Sequence, residues 1–542
     1  EIFAFEPSTR SYDIFKKMTN LLLLVSFASG FSIMTIEFTS ARIITPLIGA
    51  SVFTWTSVIG TVLFGLSVGS YIGGYFIDKY KNEKIFSFFL FLSSFSVATI
   101  PFFASKSLYF IPLDLPILNT ALLISFVLFF TPSLFLGLLY PAILKLYSKN
   151  IENIGKQYGV ISLFFTFGNI LGTFLKGFYF IGKIGSSNTF FAVSVVLFIF
   201  AVLFLLLSER SLKYIIFIFV ATILLLLIIF GVSLIKNKKD NGNVIFSKET
   251  DYYKIKVVDS FLNSLKSRIL FLDIDPHSAE VLNEEDLPVY TNIYPVFSVF
   301  NKNIKDIFVV GGGSYSIAKN FSKFYKNSEV LVSELDPEVT KTAENFFNLK
   351  QYPVNTISED GRIYLQKTTK KYDLIFGDAY NSFISVPWHL TTLEFNELTK
   401  SRLKENGIYA VNFISSLSDE NADFFKSMVN TFKKTFDNFY IFAYGATEES
   451  PQNIILVGVN SNNKLKYKEL AEKVSEVKNG KFLSQKIIPT EPFKNDTLIL
   501  TDDFAPVELL MQPLINNYFH DYLKFYYSFS LYNKSIKYYY II

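Results

Sequence analysis

Seven apolar runs, each long enough to cross a bilayer, precede about residue 236: 20–45, 52–77, 85–104, 116–144, 157–181, 187–207 and 213–235. About 20 apolar residues span the hydrocarbon core. In lipid every backbone N–H and C=O must be satisfied within the segment, so such runs fold as helices. They are too many and too long for a cleaved signal peptide. The pattern predicts an N-terminal segment (1–18) and then an all-α membrane bundle of about seven transmembrane helices (19–236). The expected setting is a multi-pass protein of the cell membrane, with the lipid bilayer as a partner.

Positive charges set an orientation. Arg10, Lys16, Lys17, Lys79, Lys81, Lys84, Lys145, Lys149, Lys156, Arg210 and Lys213 lie on the N-terminal side of these runs, and they outnumber Arg42, Lys106, Lys176, Lys183, Lys236, Lys238 and Lys239 opposite. The positive-inside rule then makes the N-terminus cytoplasmic and, with seven crossings, exports the C-terminal half. A nucleotide-type ligand argues the reverse, and the soluble half is placed in the cytoplasm on that ground.

Within the bundle, Glu37, Arg42, Gln157, Asn169 and Lys176 are polar groups at or near membrane depth. They mark either a solute path or lipid-facing pocket, or interhelical hydrogen bonding with the two bases snorkelling to the interface. Gly65, Gly69 and Gly73 form a small-residue face suited to close helix packing, and Pro132 and Pro141 are expected to bend the fourth helix.

The character of the chain changes at "KNKKDNGN" (236–243), and 237–243 reads as a linker. Short alternating segments such as "YKIKVV" and "RILFLDI" make 244–300 a small β-rich subdomain. Over 301–510 the strands "DIFVV", "EVLVSEL", "VNTIS", "YDLIFGD", "GIYAVNF", "FYIFAY" and "NIILVGV" alternate with helical stretches. That alternation predicts an α/β Rossmann-like, doubly wound and mostly parallel sheet. The Tyr-rich tail, 511–542, is either a membrane-interface segment or a packing arm.

Ligands of such sheets lie at the carboxyl ends of the strands. There the sequence places Gly311, Gly312 and Gly313 opening a helix, then Glu334, Asp360-Gly361 and Asp378, each after a successive strand. Bare glycine backbone and a helix start accept a polar ligand closely. An acid about 20 residues past the glycine loop is placed to accept both ribose hydroxyls. Asp360 suits an adenine amino group, and Asp378 faces the reactive end. Four such features in this order predict a nucleoside ligand. A dinucleotide fits less well, because Ser316 stands where G-x-G-x-x-G needs its third glycine. Asp336, before Pro337, reads as a helix cap. A net charge of +4 gives no case for nucleic acid, and with no Cys and only His277, His389 and His520 no metal site is expected.

"VVGGGSYS", "SELDPEVTKTAENFF", "SEDGRIYL", "YDLIFGDAY" and "LKENGIYAVNF" together resemble the spermidine synthases, the aminopropyltransferases, over roughly 245–510. The stretch 37–80, "PWHLTTLEF" and "LTDDFAPVE" look like the group in which a multi-helix membrane domain precedes the enzyme domain. The resemblance implies S-adenosylmethionine or its decarboxylated form as co-substrate, held by Gly311, Gly312, Gly313, Ser314, Glu334, Asp360 and Gly361, with no metal. It implies a small-molecule amine acceptor, Asp378 as the catalytic acid that deprotonates it, and a homodimer. His277, Tyr294, Tyr315, Tyr380, Asn381 and His389 are candidates for the acceptor pocket, His277 and Tyr294 equally for packing. Ser314 stands where the family has an Asp that pairs with the donor's ammonium, and Asn381 replaces the second acid of an Asp-x-x-Asp loop. Loss of the first also removes repulsion against the carboxylate of intact S-adenosylmethionine. Two other readings stay open: a methyltransferase on the same fold, and a transporter or sensor that only binds a nucleoside. Thr501-Asp502-Asp503 before Pro506 reads either as part of the site or as a cap and turn.

Overall fold

A computed structural model describes residues 9–80, 83–104, 107, 115–148, 153–208, 212–239, 244–262, 265–273, 275–282, 289–379, 386–418, 421–445, 447–489 and 497–518. The chain divides into two units, which meet in sequence between 241 and 242.

The first unit is helical: α1 (Thr9–Ile48), α2 (Val52–Tyr80), α3 (Glu83–Ala104), α4 (Ile117–Gly137), α5 (Leu139–Tyr147), α6 (Ile154–Leu175), α7 (Ile181–Ile184), α8 (Ser186–Ser208) and α9 (Leu212–Lys239), with a π-helical turn at Lys176–Phe180 before α7. Among the described residues six helical stretches are long and apolar enough to span a membrane. The seventh run, 213–235, lies within α9, whose described apolar stretch is Ile216–Gly231. The fourth run breaks between α4 and α5. Pro141 has no N–H to offer the Gly137 carbonyl, and Ser70 Oγ donates to that oxygen instead at 3.3 Å.

The glycine face of α2 lies on α4. A Cβ at Gly69 would stand 2.0 Å from the Leu134 carbonyl oxygen, so the two backbones touch where only hydrogen fits. Gly69→Val is therefore expected to cost several kcal/mol, as overpacking and backbone displacement do. It should lower the melting temperature of the purified full chain while leaving ligand binding by the C-terminal half intact. A second close pair joins α1 to α6, where a Cβ at Gly168 would stand 2.0 Å from the Phe27 carbonyl oxygen.

The second unit opens with an antiparallel meander, β1 (Val244–Glu249), β2 (Lys254–Leu262), β3 (Leu265–Leu272) and β4 (Asp275–Val281), in the order β1-β2-β3-β4. A 3-10 turn over Tyr290–Val296 and α10 (Phe297–Phe300) lead into β5 (Asp306–Val310) and α11 (Ser316–Phe324). Then come β6 (Glu329–Ser333), α12 (Pro337–Phe346), β7 (Val354–Ile357), α13 (Gly361–Lys367), β8 (Tyr372–Gly377), α14 (Leu393–Ser401) and β9 (Leu403–Ser415). After α15 (Asp423–Thr435) the chain forms β10 (Phe439–Ala443), β11 (Gln452–Val459), α16 (Tyr467–Ser475), α17 (Gly480–Ser484) and β12 (Ile487–Ile488).

The sheet order is β12-β10-β11-β9-β8-β5-β6-β7. From β7 to β9 all neighbours are parallel, as alternation with helices predicts, but β11 pairs antiparallel with both β9 and β10, and β12 antiparallel with β10. The sheet is therefore mixed rather than mostly parallel. "FYIFAY" and "NIILVGV" are too close in sequence for a crossover helix and form a hairpin instead. Order reverses between β5 and β8, which makes their carboxyl ends the switch point. The chain is also helical over 507–518, with Met511, Leu514 and Ile515 buried, so the start of the segment read as a tail belongs to the folded core. The remainder, 519–542, lies outside the described residues, as do 1–8 and 240–243 of the predicted N-terminal segment and linker.

Candidate active site

The switch point opens into a cavity of about 240 Å³ lined from β4, the Tyr290 turn and the loops after β5, β6, β7 and β8. Its geometry begins with contact between two strand ends. Gly311 adopts a φ of +96°, and a Cβ there would meet the Asp378 carbonyl oxygen at 2.4 Å. Asp378 N donates to the Val310 carbonyl at 2.8 Å, which fixes the two loops side by side.

Glu334 follows β6 and is buried. One carboxylate oxygen accepts Gly312 N at 2.8 Å and the other Asp336 N at 2.9 Å. Burial pushes its pKa up, against those two amides. Each oxygen keeps a lone pair for a ligand hydroxyl. Asp360 caps α13, accepting Ile363 N at 3.0 Å, and its second oxygen lies 3.1 Å from His389 Nε2. The His389 contact holds its pKa below the ordinary carboxylate value, although burial opposes it. Gly361 packs under Val310, whose Cγ1 a Cβ would meet at 2.5 Å.

Asp378 follows β8 and is half-buried in the cavity wall. Tyr290 Oη donates to its carboxylate at 3.0 Å and Asn412 Nδ2 at 2.9 Å. Burial pushes its pKa up to about 6, while these two donors pull it down. Such a carboxylate is ionised at neutral pH yet basic enough to take a proton. Removing the phenol in Tyr290→Phe deletes one donor to the ionised form. The pKa of Asp378 then rises, and the acidic limb of a rate–pH profile moves to higher pH, with turnover near neutrality lower by about tenfold.

Five acids line the cavity (Asp275, Glu334, Glu359, Asp360 and Asp378), and no Lys or Arg does among the described residues. His277 and His389 line it as expected, with Gly311, Gly312, Gly313 and Gly361. Tyr315 does not. Its ring is buried in the core beneath the glycine loop, its hydroxyl is 2.7 Å from Thr340 Oγ1, and its own φ is +63° at the start of α11. Tyr294 is likewise core: Tyr325 Oη donates to its carbonyl at 2.5 Å and Lys478 Nζ reaches its hydroxyl at 3.0 Å. Ser314 is fully buried and turned from the cavity, 2.6 Å from Ser316 Oγ, and it is Ser316 that lines the wall and donates to Glu280 at 2.9 Å. Tyr380 and Asn381 lie outside the described residues.

Asp336 is the expected cap, accepting Glu338 N at 2.9 Å. Asp502 is neither cap nor cavity wall. It accepts Arg362 Nη1 at 2.8 Å and Thr392 Oγ1 at 2.7 Å, and the same Nη1 donates to the His389 carbonyl at 2.7 Å. "LTDDFAPVE" thus braces the loop that carries His389. Sequence reasoning missed Tyr290 and Asn412. A lone amide inside the apolar strand "GIYAVNFIS" was the available signal for Asn412.

Residues 290–469 match the family model described as Spermine/spermidine synthase domain. The C-terminal half carries a spermidine-synthase-type domain. A polyamine aminopropyltransferase of Vibrio vulnificus (strain CMCP6) is 26% identical over 222 residues, 39% of this chain and 72% of that protein. The likeness to polyamine aminopropyltransferase 2 of Aquifex aeolicus (strain VF5) is 24% over 436 residues, 77% of this chain and 83% of the other. A match that long extends beyond the spermidine-synthase-type domain into the helices, consistent with a helical region fused to it. A crystal structure of a probable spermidine synthase from Corynebacterium glutamicum ATCC 13032 covers 43% of this chain and 87% of its own at 21% identity and a TM-score of 0.36, which adds nothing to the topology already described.

Proposed function

We propose that this chain is a membrane-anchored, aminopropyltransferase-like enzyme that moves the aminopropyl group of decarboxylated S-adenosylmethionine to an amine and releases methylthioadenosine. The observation that carries this reading is Asp378, a carboxylate raised to about 6 at the switch point of an acid-lined cavity. Glycines 311 to 313 leave room for the nucleoside, the carboxylate of Glu334 can accept ribose hydroxyls, and Asp360 can accept an adenine amino group. The amine nitrogen forms a bond to the propyl carbon attached to sulfur. The carbon–sulfur bond breaks, its electron pair stays on sulfur as a neutral thioether, and Asp378 accepts the nitrogen's proton. A sulfonium is already a good leaving group, so orientation and one base suffice.

Charge selects the donor. The decarboxylated form carries two positive charges into a cavity with five acids and, among the described lining, no Lys or Arg. The intact form adds a carboxylate that would meet those acids unpaired. Ser314 does not restore a neutral pocket, because it faces away. Titration of the purified chain is expected to give at least about tenfold tighter binding of the decarboxylated donor, roughly 1.4 kcal/mol. Equal affinity for the two would remove the charge argument. The six long apolar helices support membrane anchoring, and we place the catalytic half in the cytoplasm, where such donors occur.

A further inference from the structure

Beside Asp360, at the rim of the cavity, an ion pair holds the turn that carries His389. Arg362, two residues after Asp360, has a side chain only 13% exposed, and its guanidinium forks onto Asp502. Nη1 donates to Oδ1 at 2.8 Å and Nη2 donates to Oδ2. The same Nη1 donates to the His389 carbonyl at 2.7 Å. Asp502 is held from two further directions: Thr392 Oγ1 donates to it at 2.7 Å, and its own N–H donates to Glu394 Oε2 at 2.9 Å. Leu393 N donates to the Leu500 carbonyl at 2.8 Å, so the chain before Asp502 is tied to the start of α14 as well. A two-pronged guanidinium–carboxylate pair fixes direction as well as distance, which a lysine would not do.

His389 is where this frame meets the cavity. Its main chain, in the 3-10 turn Trp388–Leu390, is set by Arg362, and the residue lines the cavity beside Pro387 and Leu390. Nε2 lies 3.1 Å from Asp360 Oδ2, while Oδ1 of that carboxylate accepts Ile363 N at 3.0 Å. The His389 contact holds the Asp360 pKa down, so the carboxylate is ionised and only accepts, and Nε2 carries the proton. The terminal torsion of an aspartate is otherwise broad. Here each oxygen is pinned by one donor, and the two donors decide where the remaining lone pairs point.

We infer that His389, held by the Arg362–Asp502 pair, is the positioning residue that aims Asp360 at the exocyclic amino group of adenine, an assignment that rests on the nucleoside reading of this cavity. A purine with a carbonyl at that ring carbon would set an acceptor against a carboxylate whose plane is fixed, and would be rejected. With the plane released the carboxylate swings aside and the rejection fades. His389 is thereby assigned to the adenine end of the cavity rather than to the acceptor pocket.

The probes are methylthioadenosine and methylthioinosine, with an amino group in one and a carbonyl in the other at the same ring carbon. Each is titrated calorimetrically into the purified full chain. The unsubstituted chain should bind methylthioadenosine at least about tenfold more tightly. In His389→Ala and in Asp502→Asn that ratio should fall below about threefold. His389→Gln, whose amide N–H reaches the place of Nε2, should keep most of it. A residue that merely held the fold would weaken both ligands alike and leave the ratio unchanged. The His389 side chain is 35% exposed, so its removal leaves the fold intact and covers the case in which Asp502→Asn unfolds. A preference that survives in either folded variant overturns the assignment but leaves adenine at Asp360. No preference in the unsubstituted chain removes adenine from Asp360 and overturns both.

Discussion

Asp378→Asn is expected to lower turnover by about two to four orders of magnitude while the donor still binds, the usual contribution of a positioned general base. The amide keeps the size of the side chain but cannot take the proton that leaves the attacking amine. The contacts proposed for the donor, with Gly311, Glu334 and Asp360, do not involve the substituted group, so the affinity should change far less than the rate. The pH dependence of the unsubstituted enzyme carries the same signature. Asp378 titrates near 6 rather than near its ordinary value because burial disfavours its charge. It is the base in its ionised form, so the rate should be constant above that pH and fall tenfold per unit below it. In Asp378→Asn this limb should vanish. Full turnover in the variant, measured by single-turnover kinetics, would remove Asp378 from the chemistry.

Gly311→Ala should cripple the same site from the backbone. The φ of +96° disfavours any side chain, and the new methyl would stand 2.4 Å from the Asp378 carbonyl oxygen and 3.0 Å from Ala379 Cα. Those atoms are main chain, so relief requires the β5 and β8 loops to part. Strain of this kind costs about 2–4 kcal/mol. Moving a catalytic carboxylate by about 1 Å costs on the order of a hundredfold in rate. Thermal denaturation and kcat together check both effects. Gly313→Ala is the internal comparison: its nearest neighbour is a side-chain oxygen, Ser278 Oγ at 3.0 Å, which can give way, so the loss should be smaller.

The order of the acids along the chain made most of this site legible. A glycine loop, Glu334, Asp360 and Asp378 each follow a strand, and parallel strands carry their carboxyl ends to one edge, so sequence order alone brings them together. Side-chain direction was not legible. Tyr315 follows the loop directly, yet its positive φ turns the ring under the loop and into the core. Ser314 is buried as well, and Ser316, two residues on, reaches the wall in its place. Tyr290 joins Asp378 across 88 residues, a contact that no local pattern encodes. In the helical half, hydropathy marked the helices, and the glycine spacing marked α2 as a packing face. Hydropathy gave no means of telling a buried Lys176 from a snorkelling one, because that depends on which neighbours close over it.

The most direct test of the central claim is mass spectrometry of the purified full chain incubated with decarboxylated S-adenosylmethionine and putrescine. The account predicts methylthioadenosine together with a product heavier than putrescine by one aminopropyl group. It also predicts that Asp378→Asn forms neither at a comparable rate. Formation of S-adenosylhomocysteine from intact S-adenosylmethionine, with no methylthioadenosine from either donor, would contradict it.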